Sequence, residues 1–283
     1  MILSGDDHSY ATAYDGVTAY VETSVDGQFL SPIDLMVQVS ENDGKRSVSW
    51  VPNFRFIDTA TVAPHPQSAA LAAEYSAKLD ATLDVEIGTT TTFLDSRRNV
   101  VRGEESSMGN LIADAMRDAV GADIALMNGG GIRGDRTFDA GSPLTRRDIL
   151  TELPFGNLTV LTELPGAQVL LALENAVSQL ETGAGRFAQV SGISFSVDPS
   201  AMAGQRVSEV MVAGAPLDES KVYKVAVNDY IVGGGDGYAA LGGGRVVMNA
   251  GGGNLLANDV MAYVEKTGTV APTIEGRINL LGQ

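Results

Sequence analysis

The loop Asn128-Gly129-Gly130-Gly131-Ile132-Arg133 places an amide and a guanidinium at the two ends of three consecutive glycines. Glycine lets a backbone approach a ligand closely because no Cβ intervenes, which makes Gly130 a candidate contact. Asn128 offers hydrogen bonds suited to a base and Arg133 offers those suited to a phosphate, so the loop points to a nucleotide site. A second loop, Tyr230-Ile231-Val232-Gly233-Gly234-Gly235-Asp236-Gly237-Tyr238, sets a carboxylate at a glycine-rich tip between two tyrosines. A carboxylate accepts paired hydrogen bonds from vicinal hydroxyls while an aromatic ring stacks on a base, which reads as a ribose site. The alternative is a tight turn in which Asp236 bonds its own backbone. Phe155, in Leu153-Pro154-Phe155-Gly156-Asn157, could supply the opposite ring, or be a core phenylalanine after a helix end. Arg102, just ahead of a helix start, reads on its own as solvated. Arg146 and Arg147 fall in a helix's first turn, where the dipole disfavours cations. They read as surface residues, with anion contact the alternative.

Asp6 and His8 sit two apart after an apolar stub, a spacing of oxygen and imidazole donors that suits Zn or Mn. Two ligands do not complete a metal site, and the second of the chain's two histidines, His65, lies between prolines. Gly129-x-Gly131-x-x-Gly134 formally matches a dinucleotide fingerprint. That fingerprint must open into a helix, whereas Arg136-Thr137-Phe138-Asp139-Ala140-Gly141 is turn-like, so the match reads as accidental.

These residues need elements to hold them. Residues 1–64 read as β-rich, with strands over 17–23, 33–39 and 47–51 and turns at Asp26-Gly27 and Asn42-Asp43-Gly44. A helix is predicted from Pro66 to about Leu83 within a linker, 65–87. Beyond it, Ser107 is the predicted cap of a helix with the apolar stripe Met108, Leu111, Ile112, Ala115 and Met116. Residues 122–127 form a short apolar strand, and Thr145-Arg146-Arg147-Asp148 resembles a capping box. Strands follow at 158–164, 187–197, 207–212 and 222–228, with helices at 169–180 and 255–266 and a turn at Pro165-Gly166. Short strands in mixed order favour an α+β fold over a doubly wound sheet.

Composition narrows the function classes. A chain of 283 residues with 44% hydrophobic residues has ample material for a core. The net charge of −16 argues against non-specific nucleic-acid binding, so a phosphate ester must be drawn in by a local arginine cluster. The absence of cysteine excludes disulfides and thiolate metal sites. No run approaches the roughly 18 apolar residues of a membrane span. The first residues lack the positive charge of a signal peptide.

Taken together, Met108-Gly109-Asn110-Leu111-Ile112-x-Asp114-Ala115-Met116, the Asn128 loop, Leu153-Pro154-Phe155-Gly156-Asn157, Gly233-Gly234-Gly235-Asp236-Gly237-Tyr238 and Glu275-Gly276-Arg277-Ile278 resemble, in order and spacing, the 5'-nucleotidase family. The resemblance implies three parts: residues 1–64 as the tail of a calcineurin-like metallophosphatase domain, 65–87 as a linker helix, and 88–283 as a nucleoside-binding C-terminal domain. It implies that Phe155 and Tyr230 sandwich the base, Asn128 bonds its edge, Asp236 holds the ribose hydroxyls, and Arg102 and Arg133 face the phosphate. Asn157 would lie in the same pocket wall. Tyr230 stands where a phenylalanine is common in the family. Asp6 and His8 would correspond to the metal-binding end of the catalytic domain, with Asp6 in a position usually held by histidine. The complete enzyme would carry two divalent metals, Zn or Mn, activate a water on them, and rotate about the linker; this chain alone would hold no metal stably. The family's Asp-x-His and Asn-His motifs are expected upstream of Met1. The substrate expected is a nucleoside or nucleoside monophosphate. Alternatives are a non-catalytic nucleotide-binding module, or action on 2',3'-cyclic nucleotides or UDP-sugars. A periplasmic or extracellular location is implied by the resemblance. Self-association through exposed strands of residues 1–64 is also expected.

Overall fold

The computed structural model describes residues 1–6, 8–248 and 251–282. It divides into two compact units, Met1–Lys78 and Leu79–Gln283. Mixed sheets and helices make the fold α+β.

The first unit is mostly strand. Ala19–Thr23 lies between Ile2–Ser4, parallel to it, and Tyr10–Tyr14, antiparallel. A long ribbon pairs Ile33–Asn42 with Lys45–Phe54, several residues longer than the sequence predicts. Its turn places Asp43 and Gly44 at φ 48° and 72°, the doubly left-handed pair that matches strand twist in a two-residue hairpin. Among the described hydrophobic residues only Ala19 and Val21 are buried here, whereas Leu35, Met36, Val37, Val39, Val48 and Val51 of the ribbon are exposed. The Pro66–Leu83 helix has no buried residue.

The second unit is built on a five-stranded mixed sheet in the order Ala188–Ser191, Ile124–Asn128, Val222–Asn228, Thr159–Pro165, Arg245–Met248. The neighbouring strands Ile124–Asn128 and Val222–Asn228 run parallel, and the other pairings are antiparallel. Alternation along these strands feeds two cores. Ile124, Leu126, Val225 and Val227 face a layer containing Val169, Leu173 and Ala176 of the Gly166–Val177 helix. Ala125, Met127 and Ala226 face Met108, Leu111, Ile112, Ala115 and Met116 of the Ser107–Val120 helix, with Leu256, Val260 and Val264 of the Leu256–Thr267 helix beside them.

Three local departures from the sequence expectations have physical causes. The helix cap is Ser106, whose Oγ accepts the Gly109 N–H at 3.1 Å; the Ser107 hydroxyl is instead the acceptor for Asp95 N–H. The single strand expected over 187–197 is two strands in two different sheets. Gly192 breaks it at φ 73°, where an added Cβ would stand 2.1 Å from the Asp123 carbonyl oxygen. Gly166 opens a helix directly at the end of the Thr159–Pro165 strand, with no intervening turn. The capping box forms as expected, Thr145 Oγ1 accepting Asp148 N–H and Asp148 accepting Thr145 N–H. Arg147 pairs with Asp80 and Asp84, each at 2.5 Å, and Arg146 with Glu265, so these two cations are ion-paired surface residues. Among the described residues no helix is long and apolar enough to cross a membrane.

Candidate functional site

The site forms where the parallel strands Ile124–Asn128 and Val222–Asn228 reach their carboxyl ends, each terminating in a buried asparagine. Crevices at such strand ends are the usual ligand positions of open α/β sheets. Asn228 Oδ1 caps the short Asp229–Val232 helix by accepting Ile231 N–H at 2.9 Å, and its Nδ2 donates to Asn128 Oδ1 at 2.8 Å. Asn128 Nδ2 then donates to Asp236 Oδ2 at 2.8 Å, while Tyr230 Oη donates to Asp236 Oδ1 at 3.1 Å. One hydrogen-bonded chain therefore runs from the helix cap through both asparagines to the carboxylate at the loop tip. Asp236 sits at φ 53° with both oxygens facing side chains, so it does not serve as a turn residue bonded to its own backbone. Burial, followed by the Asp236 charge, pushes the Tyr230 hydroxyl above its ordinary value.

Two aromatic rings are presented rather than packed away. Phe155 is 59% and Tyr230 48% exposed, which rules out a core role for Phe155. The Tyr230 ring lies against Gly235, where a Cβ would come within 2.6 Å of it. Among the described residues no ring contact joins Phe155 and Tyr230; the Arg133 guanidinium stands 5.4 Å over the Phe155 ring instead. Tyr238, by contrast, is fully buried and donates to the Arg186 carbonyl at 2.6 Å. The two ring-bearing segments are joined through Asp229, whose Oδ1 accepts Asn157 Nδ2 at 2.8 Å and Leu158 N–H at 3.1 Å. Asn157 therefore spends its amide donor holding the loop of Phe155 to the helix of Tyr230. An apolar cavity of about 240 Å³ beside that loop is lined by Met127, Leu153, Pro154 and Leu256 among others.

The triple glycine makes its close approaches to the protein's own chain. A Cβ on Gly129 would meet the Val101 carbonyl oxygen at 2.1 Å, and one on Gly130 would meet Gly185 Cα at 2.9 Å. Gly130 N–H donates to Gly185 O at 2.8 Å, and a Cβ on Gly185 would itself lie 3.5 Å from Asp236 Oδ2. The segment after the loop forms a Thr137–Phe138 strand, not the helix a dinucleotide fingerprint requires.

Arg102 is the unusual charge. It is only 9% exposed, its Nε is buried without a hydrogen-bond partner, and among the described residues no carboxylate forms an ion pair with it. Burial, then the like charges of Arg98 and Arg133, push its guanidinium below the ordinary value, against the opposing pull of Asp236 and Asp135. A buried unpaired cation costs several kcal/mol unless an anion arrives. Arg98, four residues before Arg102, joins the cluster; the helical spacing across Arg98–Val101 could have found it. Gln189, also missed in the sequence, is buried and holds the Arg102 segment: its Nε2 donates to Val101 O at 3.1 Å and Glu104 O at 2.8 Å.

Asp6 and His8 belong to the first unit, exposed and in left-handed conformations at φ 97° and 63°. Among the described residues no group of three His, Cys, Asp or Glu side chains could hold a metal ion.

The fold and these motifs coincide with a known domain. Residues 86–243 match the family model described as 5'-nucleotidase, C-terminal domain, and the chain belongs to that family. Among its relatives, it is 32% identical over 300 residues to the trifunctional nucleotide phosphoesterase protein YfkN of Bacillus subtilis, covering 98% of this chain and 20% of that protein. To protein UshA of Escherichia coli it is 32% identical over 238 residues, covering 84% of this chain and 40% of UshA. The crystal structure of a 5'-nucleotidase precursor from Thermus thermophilus superposes with a TM-score of 0.70 at 32% identity, covering all of this chain and 58% of that one. A putative 5'-nucleotidase from Staphylococcus aureus shares the fold, with a TM-score of 0.75 at 19% identity. The chain thus spans 20–40% of the length of these curated relatives.

Proposed function

We propose that this chain supplies nucleotide recognition to a metal-dependent phosphoester hydrolase of the 5'-nucleotidase type. The observation that carries this reading is Arg102, buried and without an anionic partner in a chain of net charge −16. Such a residue fits a site whose missing anion is the ligand's phosphate, with Arg133, and Arg98 beside it, as the other positive groups. Phe155 and Tyr230 would stack on the base, Asp236 would accept the ribose hydroxyls, and Asn128 would orient Asp236 while offering its amide to the base edge. Gly130 and Asn157 form the wall that keeps these groups in place. Holding the ester in one orientation is the proximity contribution to hydrolysis. A metal site of this family's type would include Asp6 and His8 among its ligands, and the metals would supply an activated water.

Calorimetry with adenosine, AMP and inorganic phosphate tests this. Arg102→Ala is expected to weaken AMP binding by about tenfold or more, the loss of one charge-assisted hydrogen bond, with adenosine little changed. Equal loss for both ligands would remove Arg102 from the phosphate site. A second reading, a binding module without chemistry of its own, is supported by the family match falling on the C-terminal domain over residues 86–243. Phosphate release from AMP by the purified chain with Zn or Mn added would exclude it. Parallel titrations with a 2',3'-cyclic nucleotide and a UDP-sugar separate the candidate substrates, since stacking alone does not choose among bases.

A further inference from the structure

We infer that Glu152 is the positioning residue of the phosphate-facing arginines, a buried carboxylate that ties the Arg98–Arg102 segment to the Arg133 loop. The inference rests on the nucleotide reading above. Glu152 is the last residue of the Arg146–Glu152 helix and has no exposed surface. Its backbone oxygen accepts Arg133 N–H at 2.8 Å and its Oε2 accepts Gly134 N–H at 3.2 Å. Its Oε1 accepts the Ser96 hydroxyl at 3.0 Å, two residues ahead of Arg98, and lies 3.5 Å from Arg136 Nε. The same two stretches are latched again outside the carboxylate: Ser96 Oγ accepts Arg136 N–H at 3.2 Å, and Arg98 N–H donates to Asp135 Oδ1 at 2.8 Å.

A carboxylate is an expensive residue to bury, and at a helix end followed by Leu153 an aliphatic side chain would suit packing alone. The acceptors of Glu152 are spent on the loop and on the serine, none on its own helix. The loop is fitted to it: a Cβ on Gly134 would stand 2.0 Å from Oε1. Arg98, Arg102 and Arg133 repel one another in the absence of an anion, so something else must hold their segments together before the ligand arrives. Glu152 does so while its own charge is answered by Arg136, which leaves the three site arginines free. Binding groups held in advance avoid the ordering cost at the moment of association.

The test compares AMP with adenosine on the full chain, by calorimetry, for wild type, Glu152→Gln and Ser96→Ala. Glu152→Gln keeps size and one acceptor but loses the charge that holds Arg136 and Gly134. Its preference for AMP over adenosine is expected to fall about tenfold, with adenosine affinity within about twofold of wild type. Ser96→Ala, which removes the latch from the other side, should fall in the same direction by less, and it decides the question if Glu152→Gln does not fold. A purely structural role predicts instead that both affinities fall together, and an unchanged preference in both variants overturns the inference while leaving the nucleotide reading intact. Absence of AMP and adenosine binding by wild type would overturn that reading, and this inference with it.

Discussion

Asp236 and Arg102 differ in how the fold meets their charge. Both carboxylate oxygens of Asp236 are engaged, by Asn128 and Tyr230, so its orientation is set by the protein itself. Arg102 stays buried with no such partner among the described residues. The glycines act by what they let the chain approach. For Gly129→Ala, with a Cβ 2.1 Å from the Val101 carbonyl, we expect a loss of about 1–3 kcal/mol, since backbone rather than a movable side chain must yield. Thermal melting would register it as a drop of roughly 2–4 °C per kcal/mol for a body of this size. Glu152 carries a pH signature. Burial pushes its carboxyl above the ordinary value, against the opposing hydrogen bond from Ser96 and the charge of Arg136. A raised carboxyl means that the folded state binds the proton more tightly than the unfolded one, so this contribution to stability is present in acid and is lost as pH climbs through the raised value. Wild type should therefore lose stability relative to Glu152→Gln between the ordinary glutamate range and the raised value. Denaturant melts at stepped pH check this, and a parallel pair of curves would contradict it.

At the level of elements, the short Asp229–Val232 helix and the loop of Phe155 behave as one piece because Asp229 accepts from both Asn157 and Leu158. Asp229→Ala removes the oxygen that accepts both hydrogen bonds and is expected to cost about 1–3 kcal/mol of stability. It should weaken adenosine and AMP binding equally, because it loosens the ring spacing and leaves the arginines alone. Calorimetry that found only AMP affected would place Asp229 on the phosphate side instead. Gly192 plays the complementary part in the sheet. By turning the chain at φ 73° it sends Ala188–Ser191 into the central sheet and Ile193–Val197 into another. Ala188–Ser191 carries Gln189, whose three hydrogen bonds hold the stretch before and after Arg102.

At the scale of the whole molecule, the two units differ in how much they bury. The Leu79–Gln283 unit closes two cores over opposite faces of one sheet, whereas the Met1–Lys78 unit exposes a row of valines, leucine and methionine along its ribbon. Exposed apolar strands recruit other chains. The chain is expected to self-associate at micromolar concentration, and Met36→Lys with Val39→Lys to reduce it. Sedimentation velocity checks this, a monodisperse monomer for wild type being the contrary result. Nucleotide titrations need only the second unit's residues, so these two substitutions should leave AMP affinity unchanged.

Much of this was legible in one dimension. The alternation of Ile124, Ala125, Leu126 and Met127 marks a strand buried on both faces, and the spacing of Met108, Leu111, Ile112, Ala115 and Met116 marks a helix stripe, because both follow from local geometry alone. Family motifs likewise place Arg102, Asn128, Arg133, Phe155, Tyr230 and Asp236 as candidates, and the structure brings them to one end of the sheet. The break at Gly192 was not legible, since the apolar run on either side continues without interruption. Nor was the difference between Arg102, buried and unpaired, and Arg147, held on the surface by Asp80 and Asp84. Glu152, Gln189 and Asn228 escaped for the same reason: Gly134, Val101 and Asn128, the partners that tie them to this region, lie 18, 88 and 100 residues away along the chain. The sequence by itself determined which segments become strands and helices and which loops carry amide, arginine and carboxylate, because propensity and periodicity act over a few residues. Only the tertiary structure decided which charges are left without partners, because pairing and desolvation depend on neighbours that the chain order does not reveal.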